Sequence, residues 1–320
     1  AGVYVHEAEL TLSNSTVSTT GGNGVRVEQS TPTLTNNTYA DNRGAAVSMD
    51  LASNPVITGV TVTNNTTNGL TLDSGTLMGD GFWDDPEIVY TFYDDITVPA
   101  SSTLTVAAGQ IVKVGYGDVH LKVEGTLLAD GTAAKRILFT ADRDDEGGDT
   151  NNNGAANAPT AGRWGTVQFL GGSTGNVMNY CEVRYGGWSV HAGVYVENAE
   201  LALTNSSVSY TDGNGVRVEQ STPTLTNNTY ADNRGAAVSM DLASDPVISG
   251  VITSSNTING LRLDSGTLSG SRSWNDPDIV YAFYGDITVP AGATLAVVAG
   301  QIVKAGYGAT DLLVDGTLLA

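Results

Sequence analysis

The chain has 320 residues, 40% of them hydrophobic, and carries 34 Asp and Glu against 14 Lys and Arg, for a net charge of −20. That balance repels nucleic acid and anionic membrane, and no nucleic-acid partner is expected. No stretch approaches the length of a membrane-spanning helix, and the single cysteine, Cys181, gives no disulfide framework and reads as a small buried hydrophobe.

In chain order, the first elements are short strands opened by glycine. "GVYV" starts at Gly2, "GVRV" at Gly24, "GAAV" at Gly44 and "GLTL" at Gly69, at spacings of 22, 20 and 25 residues. Val3 and Val5, Val25 and Val27, Ala45 and Val47, and Leu70 and Leu72 fall on one face, while Tyr4, Arg26, Ala46 and Thr71 point the other way, as a period of two requires. A second apolar step follows at Leu12, Leu34 and Ile57, then a polar corner ("NST", "NNT", "GVT"), then a third step at Val17, Tyr39 and Val62. Tight hairpin signals between equal strands are lacking, which argues against an up-and-down barrel. Three short strands in every ~20–25 residues predict a coil whose strands stack in parallel on their equivalents one turn away, ~4.8 Å apart. Val25 and Ala45 are then expected as neighbours in adjoining layers, with corner asparagines hydrogen-bonded in ladders.

Next come two matching aromatic segments, "FWDDPEIVYTFYDDI" (82–96) and "SWNDPDIVYAFYGDI" (273–287). Trp83, Trp274, Tyr90 and Tyr93 either form a carbohydrate platform or pack a bulky corner where one block hands over to another; packing is the expectation. The pattern "DITVPASSTLTVAAGQIVKVGYG…LKVEGTLLADGTAAKRILFTA" (95–141) recurs at 286–320.

These patterns resemble the right-handed parallel β-helix repeat of large bacterial and archaeal secreted and cell-surface proteins. The "GVxV…LTNNTY…N(R)G" stretches look like its rungs, and the 95–141 pattern looks like rungs placed between β-helix blocks. The resemblance implies an all-β, right-handed parallel β-helix (a β-solenoid) with three short strands per rung. At ~23 residues per turn the chain makes about 14 rungs, a rod of roughly 65 Å.

The stretch 142–160 is too polar and glycine-rich for rungs and reads as a loop thrown out of the coil. Within it Asp149, Asn151, Asn153 and Gly154 fit D-x-N-x-N-G, with Asp142, Asp144 and Asp145 just upstream. Alternating oxygen side chains followed by a glycine turn are how Ca²⁺ is wrapped. The closing Glu of an EF-hand is missing, since Thr160 takes its place. The expectation is therefore a structural calcium loop, and the alternative is a flexible acidic loop.

Sliding the chain on itself by 191 residues places Ala1 on Ala192 and Ala129 on Ala320 without insertion, with about three quarters of the aligned pairs identical. Residues 22–53 and 213–244 are the same thirty-two letters. The chain thus divides into a first copy (1–129), a connector (130–191) and a second, truncated copy (192–320), all within one continuous β-helix (1–320). It opens on "AGVYV" without Met and closes mid-pattern at "VDGTLLA", so it is expected to be a piece of a longer protein with more copies.

Chemistry is sparse. Arg26 with Glu28, and Arg217 with Glu219, are the best-placed charged pairs, but they sit on duplicated rungs and no catalytic pattern of polysaccharide lyases accompanies them. Asn14, Asn36, Asn64, Asn65, Asn205 and Asn227 open Asn-x-Ser/Thr triplets, which corner chemistry produces in any case. The expected role is non-enzymatic: a structural segment of an extracellular or cell-surface stalk, adhesin or filament. Its expected partners are copies of itself end to end, and surface carbohydrate. The alternative is a polysaccharide-binding or polysaccharide-degrading protein on the same fold.

Overall fold

Residues that alternate apolar and polar, broken every few positions by Asn, Gly or Ser, cannot sustain long strands, and none forms. The computed structural model describes residues 1–154, 156–308 and 310–320. Among them are forty strands of two to six residues and no helix. Every strand pair is parallel, and every pair joins strands three places apart along the chain. This is a parallel β-solenoid with three strands per turn and about fourteen turns, as the period predicts. Among the described residues no helix is long and apolar enough to cross a membrane.

Inward side chains stack like on like. Along an eleven-stranded sheet Val3, Val25, Val47, Leu70, Tyr90, Val112, Phe139, Val183, Val208 and Tyr230 form one column. Along a ten-stranded sheet the column is Ile96, Leu121, Val167, Val194, Val216, Val238, Leu261, Tyr281 and Val303. Most of these side chains are fully buried in one unbroken core. Each contributes roughly 1.5–3 kcal/mol of transfer free energy, which no isolated turn could collect.

The corners are turned by residues in the left-handed conformation, such as Asn14, Asn36 and Gly59, one above the other at φ of 50°, 54° and 62°. Buried asparagines tie the layers together. The Asn42 side-chain amide donates to Asn65 Oδ1 (2.8 Å) and to the Val17 carbonyl (3.1 Å), and Asn65 donates to the Tyr39 carbonyl (2.9 Å). Asn233 and Asn256 repeat the bond at 2.8 Å. Of the triplet asparagines only Asn65 belongs to this ladder; Asn14, Asn36, Asn64 and Asn227 are exposed.

The register differs from the expected one in a definite way. Val25 pairs with Val47, not with Ala45. The outward column is Tyr4, Arg26, Ser48 and Thr71, so Ser48 stands where Ala46 was expected, and Ala46 is buried. Gly44 is the layer equivalent of Gly22, to whose carbonyl its N–H donates, and not of Gly24. A Cβ on Gly44 would lie 2.3 Å from Asn23 Oδ1, so glycine is needed there for close approach at a corner and not as a strand opener. One turn later the register slips between Thr67 and Leu70.

The two copies are not stacked in phase. The strand Val3–His6 of the first copy corresponds to Ala192–Glu197 of the second, and the two lie twenty-two strands apart. Twenty-two is seven turns of three plus one strand. The first copy's glycine-opened strands therefore lie in the eleven-stranded sheet and the second copy's in the ten-stranded sheet. Each copy also contains a junction where one sheet runs through and two stop. In the first, the sheets ending at Val56–Thr58 and Thr61–Thr63 stop while the eleven-stranded sheet continues. Side chains patch the edge left behind: the Ile57 N–H donates to Asp85 Oδ1 (2.7 Å) and the Gly59 N–H to Glu87. The second junction repeats this with Ile248 to Asp276 (2.7 Å) and Gly250 to Asp278 (2.8 Å).

Candidate functional site

The connector carries the residues most removed from rung chemistry. Its polar segment leaves the coil after Ile137–Ala141 and rejoins it at Val167–Phe169. Its first part, residues 142–150, lies over the outer face of the eleven-stranded sheet. The Thr140 hydroxyl donates to Asp144 Oδ2 (2.6 Å), Lys113 Nζ to the Gly148 carbonyl (2.7 Å), and the Asn68 N–H to the Thr150 carbonyl (2.7 Å). Asn68 sits in the register slip, whose freed N–H the loop thus satisfies. The outward column Thr91, Lys113 and Thr140 is buried beneath it. Burial pushes the Lys113 amine down to about 8, against the pull of Asp144, Asp145, Asp149 and Asp142.

The six expected metal ligands divide into two groups. Asp142 is held by Arg163 through two bonds, at 2.9 and 3.1 Å. Asp144 is buried, bonded to Thr140 and 3.6 Å from Arg184, and Asp145 is exposed. Asp149, Asn151 and Asn153 share one turn. The two Asp149 oxygens accept the N–H groups of Asn153 (3.0 Å) and Gly154 (2.7 Å), with Gly154 at φ 60° as a glycine turn requires. Asn151 Oδ1 is buried without a hydrogen-bond partner. Among the described residues no three His, Cys, Asp or Glu side chains come together as a metal would need. Asp149, Asn151 and Asn153 thus lie in one turn, while Asp142 and Asp144 are engaged by Arg163, Thr140 and Arg184.

The charged pairs noted in the rungs are members of a ladder. Arg26 donates to Asp73 through both terminal nitrogens (2.7 and 2.5 Å) and to Glu28 through Nε (3.0 Å), and the Tyr4 hydroxyl donates to Glu28 (2.5 Å). Arg217 bonds Asp264 (2.9 and 2.6 Å) and Glu219 (2.9 Å), and Tyr195 bonds Glu219 (2.8 Å). The bidentate bond to Asp73 holds the Arg26 guanidinium above its ordinary range. Guanidinium and carboxylates occupy one another here.

Two further arrangements have no clear sequence signal. His120 Nε2 lies 2.7 Å from Asp118, whose Oδ1 also accepts the Ser189 hydroxyl, while His120 Nδ1 accepts the Thr166 N–H at 3.1 Å. Ser189 thus meets Asp118 and not the imidazole, an order in which the histidine takes no proton from the serine. Beside it the Tyr116 and Trp188 rings meet edge to face at 4.8 Å, both exposed, and the Arg163 guanidinium lies 4.4 Å over the Tyr116 ring. The two come together only because the connector brings residue 188 back beside residue 116. Trp83 and Trp274 are both buried, packed against Tyr90 with Phe92 and against Tyr281 with Phe283, so they fill a corner and offer no platform. Cys181 is fully buried and its thiol is pushed up by that burial.

A family profile described as right handed beta helix region matches residues 1–80 and 165–275. No curated protein and no solved structure matches the chain.

Proposed function

From the premise that this chain belongs to the family of right-handed β-helix regions, we propose that it is a non-enzymatic structural segment of an extracellular or cell-surface protein, extended by stacking 191-residue cassettes into a rod, stalk or filament. The observation that supports this most is the continuity of the coil across the copies. The connector strand Val167–Phe169 pairs on one side with Leu121–Val123 of the first copy and on the other with Ala192–Glu197 of the second. One core serves both, so adding a cassette lengthens the body without making a new domain. The acidic surface keeps such rods apart in solution. The experiment is electron microscopy of proteins carrying one, two and four cassettes. Unbranched rods that lengthen by roughly 35 Å per cassette, seven turns and a strand at ~4.8 Å each, support the reading; globules of growing diameter overturn it. Surface labelling of intact source cells tests the location.

Carbohydrate binding is a second reading, favoured by the exposed Tyr116–Trp188 pair with Arg163 and the Asp118 carboxylate beside it. Sugar rings stack on indole faces while their hydroxyls bond to nearby carboxylates. Titration with neutral and acidic glycans tests it, with Trp188→Ala expected to abolish any binding. A product assay on the same polysaccharides tests the non-enzymatic assignment, and turnover lost on Arg217→Ala would reverse it.

Calcium at the 149–153 turn is part of the same proposal, with the unpartnered Asn151 Oδ1 and the Asp149 carboxylate as its first donors. Chelation is expected to lower the melting temperature of the wild type and to leave Asp149→Ala unchanged. Equal melting with and without chelator removes the ion from the account.

A further inference from the structure

We infer that a tandem array of these cassettes displays each cassette surface on three sides of the rod in rotation, so that the structural period of the array is three cassettes and not one. This rests on the array proposed above, and its test separates the two.

The argument is one of counting. A cassette of 21 or 24 strands would return every copy to the same side of the coil. This one has twenty-two, and the extra strand advances the next copy by one face. The displacement is visible in the side chains. Tyr4, Arg26 and Ser48 are outward neighbours on the eleven-stranded sheet, while their counterparts Tyr195, Arg217 and Ser239 are outward neighbours on the ten-stranded sheet. At the level of the second cassette the eleven-stranded sheet is built of Ser207–Ser209, Thr229–Ala231 and Ile252–Ser254 instead. Their first-copy counterparts, Thr16–Ser18, Thr38–Ala40 and Thr61–Thr63, form a separate three-stranded sheet. Two stretches of identical sequence, 22–53 and 213–244, therefore look out in different directions. Three cassettes contain 66 strands, which is 22 whole turns, and restore the facing.

This geometry selects a kind of partner. A linear polymer lying along the rod meets any given surface only at every third cassette, a spacing of roughly 105 Å at ~4.8 Å per turn. Separate partner molecules approaching from all sides meet one copy of it at each cassette. The array thus fits many discrete receptors or epitopes and does not fit a single strand threaded along a groove.

The test uses positions 78 and 269, equivalent and both exposed. Met78→Cys and Ser269→Cys, with their counterparts in a four-cassette protein, are coupled to gold clusters; the native Cys181 is buried and does not compete. Labels that step around the rod and return to the first side at the fourth cassette are expected. Labels in a straight line along one side, on a rod of the expected length, overturn the inference while leaving the rod intact. Absence of a rod fails the underlying reading instead.

Discussion

Arg26 reaches over Ser48 to Asp73, two turns of the coil away, and closes on it with two bonds of 2.7 and 2.5 Å. Arg217 repeats the reach over Ser239 to Asp264. A long side chain lies along the outside and staples three layers, which explains why Ser48 is buried on an outward position. Asp73 keeps 44% of its side-chain surface in water, so the pair is worth less than its geometry suggests. A double-mutant cycle of Arg26→Met and Asp73→Asn is expected to give a coupling of about 0.5–1 kcal/mol, falling with added salt. A coupling of zero would reduce the staple to a crystal-like ornament of the surface.

The junction carboxylates predict a dependence on pH. Burial raises Asp85 from 3.8 to about 6, and raises Asp276 in the same way. The folded state then holds a proton that the unfolded state releases, so this contribution is present below pH ~3.8 and is lost as pH rises through 6. Asp85→Asn keeps an oxygen for the Ile57 N–H and carries no charge. The variant should match the wild type near pH 4 and exceed it by about 1–3 kcal/mol above pH 6. Thermal melts of both across this range decide the matter, and parallel curves would refute it.

Lys113 predicts the opposite slope at the alkaline end. Its folded value near 8 lies below the 10.5 of the free amine, so the unfolded chain binds the extra proton between those values and stability rises with pH. Relative to Lys113→Met, the wild type should gain up to about 3 kcal/mol between pH 8 and 10.5. A constant difference across that window would mean that the amine reaches water.

The asparagine ladder gives a prediction in two parts. Asn65→Ala removes the acceptor of the Asn42 backbone N–H and of one Asn42 amide hydrogen, together with a donor to the Tyr39 carbonyl, at a cost of about 1–3 kcal/mol in urea unfolding. Expressed in a glycosylating host, the protein should carry sugar at the exposed Asn64 and none at Asn65, whose side chain is wholly buried. A glycopeptide containing modified Asn65 would show that this layer opens.

The coil, its three strands per turn and its number of turns are legible from the period of Val, Leu and Gly alone. The register is not, because Gly24 and Gly44 look alike in sequence but act differently: one meets the Ala46 carbonyl, the other the Asn23 corner. The acidic loop is legible as an insertion, yet its position over Lys113 depends on Asn68 and Thr140, neither of which marks a docking point in the sequence. Asp85 reads as one acid among many in "WDDPEIV". Only the stopped sheet beneath it shows why its carboxylate stands where a backbone carbonyl would be.

Those stopped sheets govern how such a body yields to force. Along most of its length three hydrogen-bonded walls share any bending load, but at each junction a single wall passes through unbroken, the eleven-stranded sheet at the first and the ten-stranded sheet at the second. The stiffness of the whole is therefore set at those levels. Because the surviving wall changes side from one junction to the next, successive bends fall in different planes, and the molecule flexes like a series of rigid links with crossed hinges.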